Sequence, residues 1–126
     1  MRTQLPWLKA SDGTAAVDMQ VALVTPWVSV GNKDRPSVQN IWGAGPVGAF
    51  SLQFTNVPDP VYNSAATDYP AAALGTTPTQ PSGAADNAII AVDAIGQCVR
   101  AAYTPTSGGT GILPTTWISY APGDEV

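Results

Sequence analysis

Phe50, Leu52 and Phe54 alternate with Ser51, Gln53 and Thr55. A period of two places one set of side chains in a core and the other in water, which is the signature of a half-buried strand. A helix would need apolar residues recurring at three and four. This segment therefore commits at least part of the chain to a sheet.

Composition extends that constraint to the remainder. The 126 residues include only two lysines, Lys9 and Lys33, and a single glutamate, Glu125. Long surface helices need such residues to solvate their outer faces, so helical bundles and coiled coils are disfavoured. Twelve glycines and twelve prolines point instead to many short strands joined by turns.

Along the chain, residues 1–16 form a polar-apolar arm ending in the turn cluster Ser11-Asp12-Gly13-Thr14. Val17 to Val30 holds two strand pieces, with Pro26 breaking the run or placing it at a sheet edge. Gly31 to Pro36 is expected to be a polar loop carrying Lys33, Asp34 and Arg35. A strand resumes at Ser37 to Trp42, and Gly43-Ala44-Gly45-Pro46 is a turn. Pro58 to Asp86 is expected to be one long proline-rich loop, with room for a helical turn at Ala71 to Leu74. Connections of that length are usually functional or disordered. Strands follow at Ala88 to Ile95 and Gln97 to Tyr103, with Gly96 as a weak break or bulge between them. Thr104 to Gly111 is a hairpin turn, and Ile112 to Tyr120 is the last strand, interrupted near Pro114. The fold class expected is all-β, an antiparallel and jelly-roll-like β-sandwich of seven or eight strands spanning 17–121, followed by a polar tail at 122–126.

Several activities are excluded or disfavoured. The chain has no histidine, so Ser-His-Asp triads and histidine-based zinc sites are impossible. Cys98 is the single cysteine, which rules out an intrachain disulfide and Cys-cluster metal sites. Five basic residues against nine acids cannot lay a broad footprint on phosphates, so no nucleic-acid partner is expected. The aspartates are widely spaced and fit solvated turns better than a calcium loop or a glycosidase pair. Gly108-Gly109-Thr110-Gly111 lacks the Gly-Lys-Ser/Thr of a phosphate cradle. No cofactor, metal or catalytic residue is expected. No apolar run is long enough to span a bilayer, and Met1 to Trp7 lacks the apolar core of a signal peptide; synthesis in a cytoplasm without secretion is the expectation.

Three ordered segments carry a family resemblance. They are Ser37-Val38-Gln39-Asn40-Ile41-Trp42-Gly43, Gly48-Ala49-Phe50-Ser51-Leu52-Gln53-Phe54-Thr55-Asn56, and Cys98-Val99-Arg100-Ala101-Ala102-Tyr103-Thr104-Pro105-Thr106-Ser107-Gly108-Gly109-Thr110-Gly111. Together, over roughly residues 20–120, they resemble small β-sandwich virion proteins of tailed bacteriophages, of the head decoration (cement) or tail accessory type. Relatives often continue with Ser-Asn-Asp-Gly after the middle strand, where this chain has Thr55-Asn56-Val57-Pro58-Asp59. The resemblance implies a non-enzymatic structural protein of the virion. Its partners would be the major capsid protein or another virion protein, within a homo-oligomer for which a trimer is one option. The alternative is a tail or fibre module that binds a host-surface glycan.

Candidate contact residues follow from chemistry. Arg100 is a charge inside an apolar strand, open to two roles: bracing its own domain, with Asp93 as one carboxylate in reach, or binding a partner subunit. Trp42 and Trp117 sit in strand patterns and are expected in the core. Trp7, in the arm, either meets a neighbouring subunit or folds back onto its own domain. Trp27, Arg35 and the loop tyrosines Tyr62 and Tyr69 complete the candidate partner-binding set.

Overall fold

A computed structural model describes residues 2–29, 33–55, 72–77, 81–91 and 98–122. The protein is an antiparallel β-sandwich without helix among these residues. Ten strands are present: β1 (Arg2–Leu5), β2 (Leu8–Lys9), β3 (Leu23–Val24), β4 (Val28–Ser29), β5 (Lys33–Trp42), β6 (Val47–Thr55), β7 (Ala72–Thr77), β8 (Asp86–Ala91), β9 (Cys98–Ser107) and β10 (Thr115–Pro122). One sheet has the order β1-β10-β5-β8. The other has the order β2-β3-β9-β6-β7, with β4 also paired to β9.

β6 and β9 form the spine of the six-stranded sheet, paired from Gly48↔Pro105 to Thr55↔Cys98. The alternation at Phe50 and Leu52 sends both fully inside, while Phe54 packs at the core margin. Val99, Ala101 and Tyr103 face them from β9. The four-stranded sheet contributes Val38, Trp42, Ile90 and Ile118. Phe50 joins the layers, with its ring 5.4 Å from Trp42, 4.9 Å from Tyr103 and 6.0 Å from Trp7. Such tilted contacts favour the aromatic quadrupole and bury large apolar areas together.

Pro26 interrupts the edge of the six-stranded sheet as anticipated. β3 pairs Leu23↔Tyr103 and β4 pairs Val28↔Val99. Between them Thr25 repairs the ladder, donating its backbone N–H to the Ala101 carbonyl and accepting the Ala101 N–H on its hydroxyl, both at 2.9 Å.

Several expectations are corrected. The arm is built into the sandwich. β1 is an edge strand registered on β10 from Arg2↔Ser119 to Leu5↔Thr116, whereas β2 joins the other sheet. The chain crosses between the sheets at Pro6-Trp7, and Trp7 is 5% exposed. Its indole N–H donates to Thr116 Oγ1 at 2.8 Å, and the Thr116 hydroxyl donates to Asn40 Oδ1 at 2.8 Å. Of the two placements open to Trp7, the structure has the one in its own core, so it presents no surface to a partner. The Ser11–Thr14 cluster is the turn expected: Asp12 Oδ1 accepts the Thr14 N–H and hydroxyl, and these bonds hold its carboxyl below its ordinary value.

The loops at 31–36 and 58–86 also change. β5 begins at Lys33, so Pro36 lies within a strand. It is tolerated there because β8 pairing reaches only Ser37↔Ala91, and the β10 register shifts by a bulge between Ser119 and Ala121. Ala72–Thr77 is strand β7 on the outer edge of β6 rather than loop or helical turn. Ser82 bridges Val47, and β8 starts at Asp86. Cross-strand pairing along β6 outweighs the helix propensity of three alanines. Thr104–Ser107 continue β9 where a turn was expected, and Pro122 ends β10 rather than opening a tail. The expected strand end and bulge at 92–97 lie outside the described residues.

Trp7→Ala should cost about 3–5 kcal/mol of stability, the usual range for emptying an aromatic core position; denaturant unfolding monitored by circular dichroism measures it. Tyr103 yields a pH prediction. It is 1% exposed, its hydroxyl has no hydrogen-bond partner among the described residues, and burial raises its phenol above the ordinary value. The unfolded chain therefore ionises first, and this residue's contribution falls as pH rises beyond about 10. Tyr103→Phe should be neutral or stabilising at pH 7 and should lessen the alkaline loss, read as unfolding midpoints against pH.

Candidate functional site

Of the sequence-derived contact residues, Trp7 lies in the core, and two others come together. Trp27 and Arg100 meet on the outer side of the six-stranded sheet. Arg100, 7% exposed, stands directly opposite Gln53 in the β6–β9 register, and its Nε donates to Gln53 Oε1 at 2.9 Å. The Trp27 ring, carried out of the ladder after Pro26, covers the guanidinium at 4.5 Å. A planar cation between an amide and an indole is held by hydrogen bonding and cation–π attraction together. Arg100 thus has the bracing role within its own domain. Arg35 lies on β5 with its side chain outside the description. Tyr62, Tyr69 and the suggested carboxylate partner Asp93 lie outside the described residues. Cys98 is buried, as a small apolar residue would be.

Two other surfaces emerge from the fold. The first is the outer face of the four-stranded sheet. Three of its strands carry adjacent large apolar residues: Ile41-Trp42 on β5, Ile89-Ile90 on β8 and Trp117-Ile118 on β10. Strand alternation cannot bury both members of such a pair from one side. Trp42, Ile90 and Ile118 go inside, leaving Ile41 41% and Ile89 59% exposed and Trp117 half-buried on the outside. Trp117 is therefore not the core residue expected. Its outward placement follows from Thr116, whose hydroxyl must point inward to receive the Trp7 indole.

Register fixes the pattern on this face. Gln4, Trp117, Gln39 and Ile89 lie directly opposite one another across the four strands. Gln39 Nε2 donates to Asn87 Oδ1 at 3.3 Å, and the Arg2 guanidinium stacks on the Trp117 ring at 5.0 Å. Arg2 carries the only charge among the described side chains of this face. The adjacent apolar pairs were the available signal in the sequence.

The second surface is one end of the sandwich. Four loops there are locked to each other. Gly45 donates to the Gly83 carbonyl and Gly83 to the Pro46 carbonyl. Met19 N–H and Ile112 N–H both bond the Gly109 carbonyl, and Gln20 bonds Thr110. Gly108, at φ +73°, lies so close to the Gly45 carbonyl that any Cβ would overlap it, and Gly109, at φ +92°, is similarly pressed on Met19. From these pinned loops Val17 (71%), Val21 (44%) and Leu113 (40%) stand into solvent.

Among the described residues, no group of three or more histidine, cysteine, aspartate or glutamate side chains is placed to hold a metal, and no helix is long and apolar enough to cross a membrane. No protein-family model matches the chain, and no curated protein matches it.

Gly108→Ala should destabilise the protein by more than about 1 kcal/mol, because the new Cβ meets both an unfavourable φ and the Gly45 backbone. Thermal unfolding beside Gly111→Ala checks the steric part, since the Gly111 site, at φ +69°, has no atom within 4 Å of a new Cβ.

Proposed function

We propose that this protein is a non-enzymatic structural subunit of a tailed-phage virion, attached to the head surface as a decoration or cement protein. The observation that carries the reading is the rigid loop end that exposes Val17, Val21 and Leu113. Apolar side chains on freely moving loops lose much conformational entropy on docking. Here the loops are bonded to one another beforehand, so little ordering remains to offset the burial. The low charge of the chain, 11% of residues, acts in the same direction, because desolvating amides and hydroxyls costs less than desolvating ions. The β-sandwich, and the resemblance of the three ordered segments to small phage virion proteins, support the same assignment. The partner is the major capsid protein or another virion protein, and many weak identical contacts on a repetitive lattice would supply avidity. A homo-oligomer is the expected state.

Gradient-purified virions should contain the chain in fixed stoichiometry with a capsid component. A triple variant, Val17→Asp, Val21→Asp, Leu113→Asp, should remain folded yet lower the number of bound copies by at least about tenfold, as charge buried in an apolar contact is costly. Virions that lack the chain, or that bind the triple variant as fully as the natural protein, would overturn the assignment.

A further inference from the structure

We infer that the outer face of the four-stranded sheet binds a neutral oligosaccharide, laid across the strands over Trp117. This goes beyond attachment to a virion and uses a different surface. The face joins three features that sugar recognition requires. An indole offers a flat apolar surface for the C–H face of a pyranose ring. Carboxamides from Gln4 and Gln39, directly opposite Trp117 on the neighbouring strands, offer donors and acceptors for vicinal hydroxyls, one Gln39 N–H being already given to Asn87. Among the described side chains of this face the only ionic group is Arg2, whose guanidinium is stacked on the Trp117 ring at 5.0 Å.

Dimensions favour the same occupant. Neighbouring strands lie about 4.8 Å apart, close to the length of one pyranose in a linear chain. The row Gln4–Trp117–Gln39–Ile89 therefore runs roughly 14 Å and matches about three sugar rings. The whole face, from the lengths of its four strands, is roughly 440 Å² in plan by strand spacing and rise, against about 800 Å² per partner in a standard protein interface. That is small for a stable dimer and ample for an oligosaccharide. Ile89, at the end of the row and 59% exposed, gives the last ring an apolar floor.

The test is a titration of the purified, isotope-labelled full chain with cellohexaose, chitohexaose and maltohexaose, followed by NMR. At least one should shift the Trp117 indole N–H and the Gln39 side-chain amide saturably, with a Kd of order 1 mM or tighter. Trp117→Ala, at a solvent-facing position, should weaken binding at least about tenfold, and Gln39→Ala should weaken it while retaining the indole shift. Thermal unfolding of both variants confirms that they fold. Absence of a saturable shift with all three sugars would overturn the inference, as would binding unchanged in Trp117→Ala. Sedimentation showing a dimer that Ile89→Asp abolishes would assign the face to a second copy and equally overturn it. Since no virion is present, the outcome is independent of virion attachment.

Discussion

Phe50 is the point on which the two sheets close. It is fully buried on β6, and its ring touches Trp42 from the opposing sheet, Tyr103 from its own, and Trp7 from the segment that crosses between them. Few side chains in a sandwich this size can bury comparable apolar area with so little rotamer entropy lost. Around this cluster the aliphatic residues Val38, Leu52, Ile90, Val99 and Ile118 complete a continuous interior. What surrounds the cluster is therefore held at fixed distance, including both exposed surfaces.

The polar chain from Trp7 through Thr116 to Asn40 gives the interior a directional element. Within β1 only Leu5 is buried, so hydrophobic contact turns that residue inward, while the exposed Thr3 and Gln4 contribute little to choosing a register. A buried indole N–H has to find an acceptor, and Thr116 Oγ1 supplies it at one register only. That bond turns Thr116 inward, which turns Trp117 outward. A buried hydrogen bond inside the core thus places the most conspicuous residue on the outside of the sheet. The same logic separates the roles of the aromatic residues: three tryptophan side chains brace or fill the domain, and Trp117 faces solvent beside amides.

Division of labour follows from the architecture. The loop end is stiff because its glycines let backbones touch, so exposed valines and a leucine can be presented without collapsing inward. The face of the four-stranded sheet is stiff because strands in register hold their side chains on a grid. The charged groups described at these surfaces are few: Arg2 on the sheet face and Asp18, which accepts the Gln20 N–H, in the loop end. Shape, apolar contact and neutral hydrogen bonding are the chemistry that both surfaces offer.

Local periodicity and composition determined the all-β class, the strand at Phe50–Thr55, the break at Pro26, the turn at Ser11–Thr14 and the burial of Cys98, because each depends on neighbours within a few residues. The proline-rich appearance of 58–86 concealed β7, since an edge strand of alanines and threonines is specified by the β6 ladder it joins and not by its own pattern. Trp7 and Trp117 were legible as aromatic residues but not as to direction. In a strand where Trp117 and Ile118 are adjacent, either can face the core, and the decision belongs to Thr116 and its partner on another strand. Tertiary structure alone settled which of Ile41 or Trp42, Ile89 or Ile90, and Trp117 or Ile118 faces outward, because a period of two fixes that neighbours point oppositely but leaves the sign to long-range contacts.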